Sequence, residues 1–181
     1  MMPIEDKRAS VPSGKEGSRT NMLSFFTYYS DKTLPIRKQP GDIVISNCMC
    51  SNADRLVHYN CSGNEPWQSA RPLDSVSFEN LTASGIGMSL NLYSTEDTPI
   101  AFSIKNSAIA FREGAAANEF IRAHSFSKIE LKDVCIAGLE ADVLVRSWGN
   151  DGELLTENVI TDIAPDKFLV AATEPFVCKA I

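Results

Sequence analysis

The chain has 181 residues, is 44% hydrophobic, and carries a formal net charge of −6 with an estimated pI of 4.9. That length suffices for one good core, and the acidic balance argues against nucleic acid as the main partner. No apolar run reaches membrane-spanning length, so no membrane segment is expected.

Residues 1–20 are rich in charge, Ser, Gly and Pro and read as a polar N-terminal arm. They contain no apolar h-region, so no signal peptide is expected here; the parent protein is nonetheless expected to be exported, to a periplasmic or extracellular space. Residues 21–181 read as one domain with a C-terminal cap. It opens on an aromatic cluster, Phe25, Phe26, Tyr28 and Tyr29, which is either an imperfect first coil or a cap.

Five short phrases then recur, each ending on Asn or Asp. They are Ile43-Val44-Ile45-Ser46-Asn47, Val76-Ser77-Phe78-Glu79-Asn80, Phe102-Ser103-Ile104-Lys105-Asn106, Ile129-Glu130-Leu131-Lys132-Asp133 and the weaker Leu154-Leu155-Thr156-Glu157-Asn158. Subtracting positions, the terminal residues lie 33, 26, 27 and 25 apart. A near-constant period of that size is the mark of stacked repeats. Within a phrase, apolar and polar residues alternate as in a half-buried strand. Phe78, Ile104 and Leu131 are expected to point inward, and Glu79, Lys105 and Lys132 to water. Asn and Asp tolerate a left-handed backbone better than other non-glycine residues, so a sharp bend is expected at each anchor. A second apolar stretch follows in each repeat: Leu56-Val57, Met88 to Leu92, Phe120-Ile121, and Val143 to Val145.

This grammar predicts an all-β chain folded as a right-handed, single-stranded parallel β-helix of about five to six coils. The anchor amides are expected to stack as a ladder inside one corner, each bonding the next. An antiparallel sandwich also shows short strands with regular turns, but here the period covers a whole coil and the anchor keeps one phase. Ala115 to Glu119 is the best helical segment and is expected to be an excursion between strands. The apolar tail, Phe168 to Ala172 and Phe176-Val177, supplies a last coil or a lid. Both ends of such a stack expose sheet edges, which points to homo-oligomerisation through the coil ends or to a truncated stack.

Five cysteines occur, Cys48, Cys50, Cys61, Cys135 and Cys178. The odd count gives no disulfide framework, and Cys48-Met49-Cys50 lacks the spacing of a zinc knuckle. They read as small buried apolar residues; no metal and no cofactor are expected.

The run Leu73 to Gly85 and the opening Gly41-Asp42-Ile43-Val44-Ile45-Ser46-Asn47 resemble the C-terminal coils of family 28 glycoside hydrolases, the polygalacturonase group of the pectin-lyase-like β-helices. The resemblance covers most of residues 20–162. It implies a scaffold acting on pectin-type acidic polysaccharide by an inverting mechanism, with an acid and a base on either side of a water. The family's Asn-Thr-Asp, Asp-Asp and Gly-His-Gly motifs are absent from this sequence, so no catalytic residue is assigned and the chain alone is expected to be inactive. Ile36-Arg37-Lys38 stands roughly where the family has its Arg-Ile-Lys motif. Arg37 and Lys38 either hold a sugar carboxylate or form a solvated basic pair. Tyr59 is the closest match to the family's substrate-holding tyrosine, or else a coil surface residue. Trp67, in the loop Asn64-Glu65-Pro66-Trp67, is either a sugar platform or packs back on the coil. Asp142 and Asp151 read as turn residues. The alternative to a hydrolase fragment is a non-catalytic carbohydrate-binding or structural β-helix.

Overall fold

The computed structural model describes residues 21–26, 28–29, 41–61, 69–70, 72–149 and 152–172. The arm 1–20, Arg37, Lys38, Trp67, Asp151 and Cys178 lie outside them. Eleven strands follow in chain order among the described residues: β1 (Asn21–Phe26), β2 (Tyr28–Tyr29), β3 (Asp42–Ser51), β4 (Arg55–Asn60), β5 (Ser69–Ala70), β6 (Ser75–Tyr93), β7 (Ile100–His124), β8 (Phe126–Ala137), β9 (Val143–Trp148), β10 (Glu153–Ile160) and β11 (Leu169–Ala171).

The alternating phrases become one ladder of five parallel strands. Ile45 pairs with Phe78, Phe78 with Ile104, Ile104 with Leu131 and Leu131 with Thr156. Those steps subtract to 33, 26, 27 and 25, the spacings of the anchors themselves, so each repeat is one turn of a parallel β-helix. Four steps make about four turns among the described residues, fewer than the five to six coils expected, because each anchored phrase adds only one rung to the ladder. The same strands bend at the anchors and continue as a second face, where Met49, Thr82, Ala108, Cys135 and Ile160 stack. A third face is built by β1, β4, the ends of β6 and β7, β9 and β11. Among the described residues every pairing is parallel except the two-residue β2–β5 pair and an isolated Thr95–Thr98 bridge.

The corners follow from backbone chemistry. Asn47, Asn80, Asn106, Asp133 and Asn158 all take a left-handed φ, between 47° and 55°. A residue there costs about 1–2 kcal/mol unless it is Gly, Asn or Asp, which explains the restricted choice. The anchor ladder differs from the expectation in two ways. Asn80 donates to Asn47 at 3.1 Å and Asn158 to Asp133 at 2.9 Å, but Asn106 joins neither pair. Asn47, Asn80, Asn106 and Asn158 are also exposed, so these rungs line the outside of the corner. Five residues after three of the anchors lies a second left-handed position, Asn52, Gly85 and Gly138. At Gly85 a Cβ would come within 2.5 Å of the Asn52 Oδ1, so only glycine fits that rung.

The core runs up the axis. Phe78, Ile104 and Leu131 are buried as expected, and Phe78 meets Phe102 edge-on at 6.0 Å. Each such side chain contributes about 1.5–3 kcal/mol when fully buried. Cys50 and Cys61 sit in this core as free thiols, and burial pushes both above their ordinary pKa.

The expected helical segment is extended. Ala115 to Glu119 belong to β7, and no α-helix occurs among the described residues. Ala117 and Phe120 are buried against the stack, so tertiary packing overrides the alanine preference. The segment is still an excursion: the β6–β7 offset grows from 26 at Phe78–Ile104 to 31 at Leu90–Ile121 through successive register shifts. Of the two readings for the N-terminal aromatic region, β1 lies on β4 as a third-face rung, while β2 leaves the stack to pair with β5. Of the tail, β11 lies on β9 as the last rung of that face among the described residues, and Phe176-Val177 lie outside them.

Candidate functional site

The third face carries the polar chemistry. Its strands place His58, Asn91, Arg122, Arg146 and Val170 in one stacked row, and Asn60, Tyr93, His124 and Trp148 in the row two residues on. Both histidines of the chain therefore share this face.

At its centre is Glu119, 1% exposed. Arg122 holds Oε1 through Nε and Nη2, both at 2.7 Å, and Arg146 donates from Nε to Oε2 at 3.1 Å. Ser89 adds its hydroxyl to Oε1 at 3.3 Å. A buried carboxylate needs this much pairing, since a bare one costs several kcal/mol. The guanidinium of Arg122 also lies over the Trp148 ring at 5.7 Å, a cation–π contact that fixes its plane. Two cations flank this one carboxylate. Arg122 and Arg146 keep 33% and 30% of their side-chain surface exposed. The terminal nitrogens of Arg146 have no partner among the described residues.

The neighbouring groups are held neutral or fixed. Arg55 donates to the Ser89 carbonyl at 2.7 Å and to His58 Nδ1 at 3.1 Å. Arginine has no acceptor, so His58 Nδ1 is the acceptor and its proton sits on Nε2. Burial and the adjacent Arg55 charge lower the His58 pKa to about 4, so the ring is neutral at physiological pH. His124 donates from Nδ1 to the Ser94 carbonyl at 2.8 Å, which fixes its ring.

Arg146 also lines a cavity of about 490 Å³. Its floor is Val143, Ile163 and Val170, and its rim carries Asp142, Asp162, Arg146 and Lys167. The size falls in the range of small-molecule pockets, roughly 300–1,000 Å³.

Of the residues singled out from sequence, Tyr59 is fully buried, and its hydroxyl accepts from the Leu73 backbone N–H at 3.0 Å. It is a core residue that ties one coil to the next, set apart from any sugar-facing surface. Arg37, Lys38 and Trp67 lie outside the described residues. Asp142, read as a turn residue, stands on the cavity rim. The Glu119, Arg122, Arg146 and Trp148 cluster was missed because its members are spread over two repeats and meet only when β7 and β9 stack. Arg122 and Arg146 do hold equivalent places in the second apolar stretches, and that repeated Arg was the available signal. No protein-family model matches the chain, no curated protein matches it, and no solved structure matches it.

Proposed function

We propose that the chain is a β-helix that holds a pectin-type acidic polysaccharide on its third face, the supporting coils of a polygalacturonase-like scaffold, and does not cut the polymer alone. The observation that carries this reading is the Arg122–Arg146 pair on adjacent rungs, each about a third exposed, with the terminal nitrogens of Arg146 unpartnered among the described residues. Arg146, with its terminal nitrogens unpartnered among the described residues, offers a fork to one carboxylate of a polyuronate, and Arg122 stands one rung away, about 4.8 Å along the face. The chain as a whole is acidic, at −6, so recognition rests on this local geometry rather than on a long-range field.

Hydrolysis needs a carboxyl free to exchange a proton beside a water-activating carboxylate. Glu119 is not such a group, because both of its oxygens are held by arginines away from solvent. Titration calorimetry with hexagalacturonate and with a neutral hexasaccharide tests the binding, and a reducing-sugar assay on polygalacturonate tests the chemistry. Binding of the acidic oligomer alone, without turnover, is expected. Equal or absent binding of the two sugars sinks the binding claim, and steady turnover sinks the inactivity.

A further inference from the structure

The row that carries the two arginines runs directly into the cavity. Asn91, Arg122, Arg146 and Val170 are successive rungs of one stack, and Val170, on the last strand of that face among the described residues, lines the cavity. Arg146 belongs to both features: its Nε is held by Glu119, and the residue lines the cavity. The far wall is the segment joining β10 to β11, where Asp162, Ile163 and Lys167 stand.

We propose that this cavity seats the terminal uronate of the polysaccharide, so that the protein grips a chain end and the following units pass over Arg146 and Arg122. This rests on the acidic-glycan reading above and adds where along the polymer the protein binds. The rim fits a terminal uronate in three respects. Arg146 and Lys167 supply a fork and a point charge for its carboxylate. Asp142 and Asp162 accept from ring hydroxyls, which a terminal unit offers in greater number than an internal one. Val143, Ile163 and Val170 take the apolar C–H face of the ring. Val170 is the last rung of the arginine row among the described residues, so a terminal unit seated there has its following units over Arg146 and Arg122.

The test is calorimetry with galacturonate, trigalacturonate, hexagalacturonate and polygalacturonate, the last counted by chain ends. Affinity per chain end is expected to rise from the monomer to the trimer and then stay level. Asp162→Asn and Lys167→Met, both at exposed positions and checked by circular dichroism, are each expected to weaken trigalacturonate binding about tenfold, the loss of one charge-assisted contact. Affinity that keeps climbing with chain length, with both variants within about twofold of the parent, overturns chain-end recognition while leaving polysaccharide binding standing. Failure of every galacturonate to bind the parent protein overturns both.

Discussion

Arg112 reaches Asp54, 58 residues earlier in the chain, at 2.8 Å, and does so by lying across Gly87. The ion pair thus spans the intermediate coil, and the missing side chain at Gly87 is its passage. A Cβ on Gly87 would stand 2.2 Å from Arg112 Nη2, so Gly87→Ala must push the guanidinium away. Asp54 is only 11% exposed and would be left without this partner. We expect a loss of about 1–3 kcal/mol, below the value for a fully buried pair because Arg112 is 32% exposed. In an Arg112→Ala background the same substitution should cost less than half as much. A urea-denaturation cycle with equal costs in both backgrounds would show that Gly87 serves the backbone and not the ion pair.

Asn106 separates the two reasons for having Asn at a corner. It shares the left-handed φ of the other anchors, at 47°, but makes no side-chain hydrogen bond to a described residue. Asn106→Gly should therefore be nearly neutral, and Asn106→Ala should cost about 1 kcal/mol, the steric price of a left-handed Cβ. Asn80→Gly should instead destabilise, because Asn80 donates to Asn47. Thermal melts that rank Asn106→Ala above Asn106→Gly in stability would contradict this account of the corner.

How much of this was legible follows from which interactions are local. The strand alternation and the anchor are decided within five residues, so Phe78, Glu79 and Asn80 announce strand, face and bend together. The length of each turn followed, because the anchor spacing equals the pairing offset, but the number did not: about four turns stand among the described residues where five to six coils were expected. The second corner went unread: Asn52, Gly85 and Gly138 each stand five residues after an anchor, but Phe111 at that place after Asn106 breaks the pattern. Ala115 to Glu119 misled because helix preference is weak beside the burial of Ala117 and Phe120. The arginine cluster was least legible. Glu119 and Arg146 are 27 residues apart, and only the stacking of whole coils brings them to 3.1 Å.

His58 gives the fold a pH dependence with a definite sign. Its pKa falls from 6.5 to about 4 on folding, so between those values the unfolded chain binds more protons. Stability therefore rises with pH through that window, is complete above about 6.5 and is lost as pH falls toward 4. Since the ring is partly solvated, the contribution is about 1–2 kcal/mol rather than the full shift. His58→Gln should flatten the pH 4 to 6.5 portion of the urea-midpoint curve relative to the parent. An unchanged slope would mean that other groups account for the acid sensitivity.

Glu119 binds its two arginines unequally, and the inequality bears on how the third face works. Arg122 makes two contacts at 2.7 Å and is backed by Trp148, whereas Arg146 makes one at 3.1 Å. Arg122 is thus a fixed fork, and Arg146 is the arginine with donors to spare. Double-mutant cycles should give a Glu119–Arg122 coupling of about 1–2 kcal/mol and a Glu119–Arg146 coupling under about 1 kcal/mol, both reduced by the arginines' partial exposure. Trp148→Leu should lower the first coupling and leave the second unchanged, because the indole makes its cation–π contact with Arg122. If the two couplings came out equal, or the Trp148 substitution moved both, the arginines would be acting as one unit. A ligand would then have to displace both from Glu119 at once, and Arg146 would lose its distinct part in leading a carboxylate into the cavity.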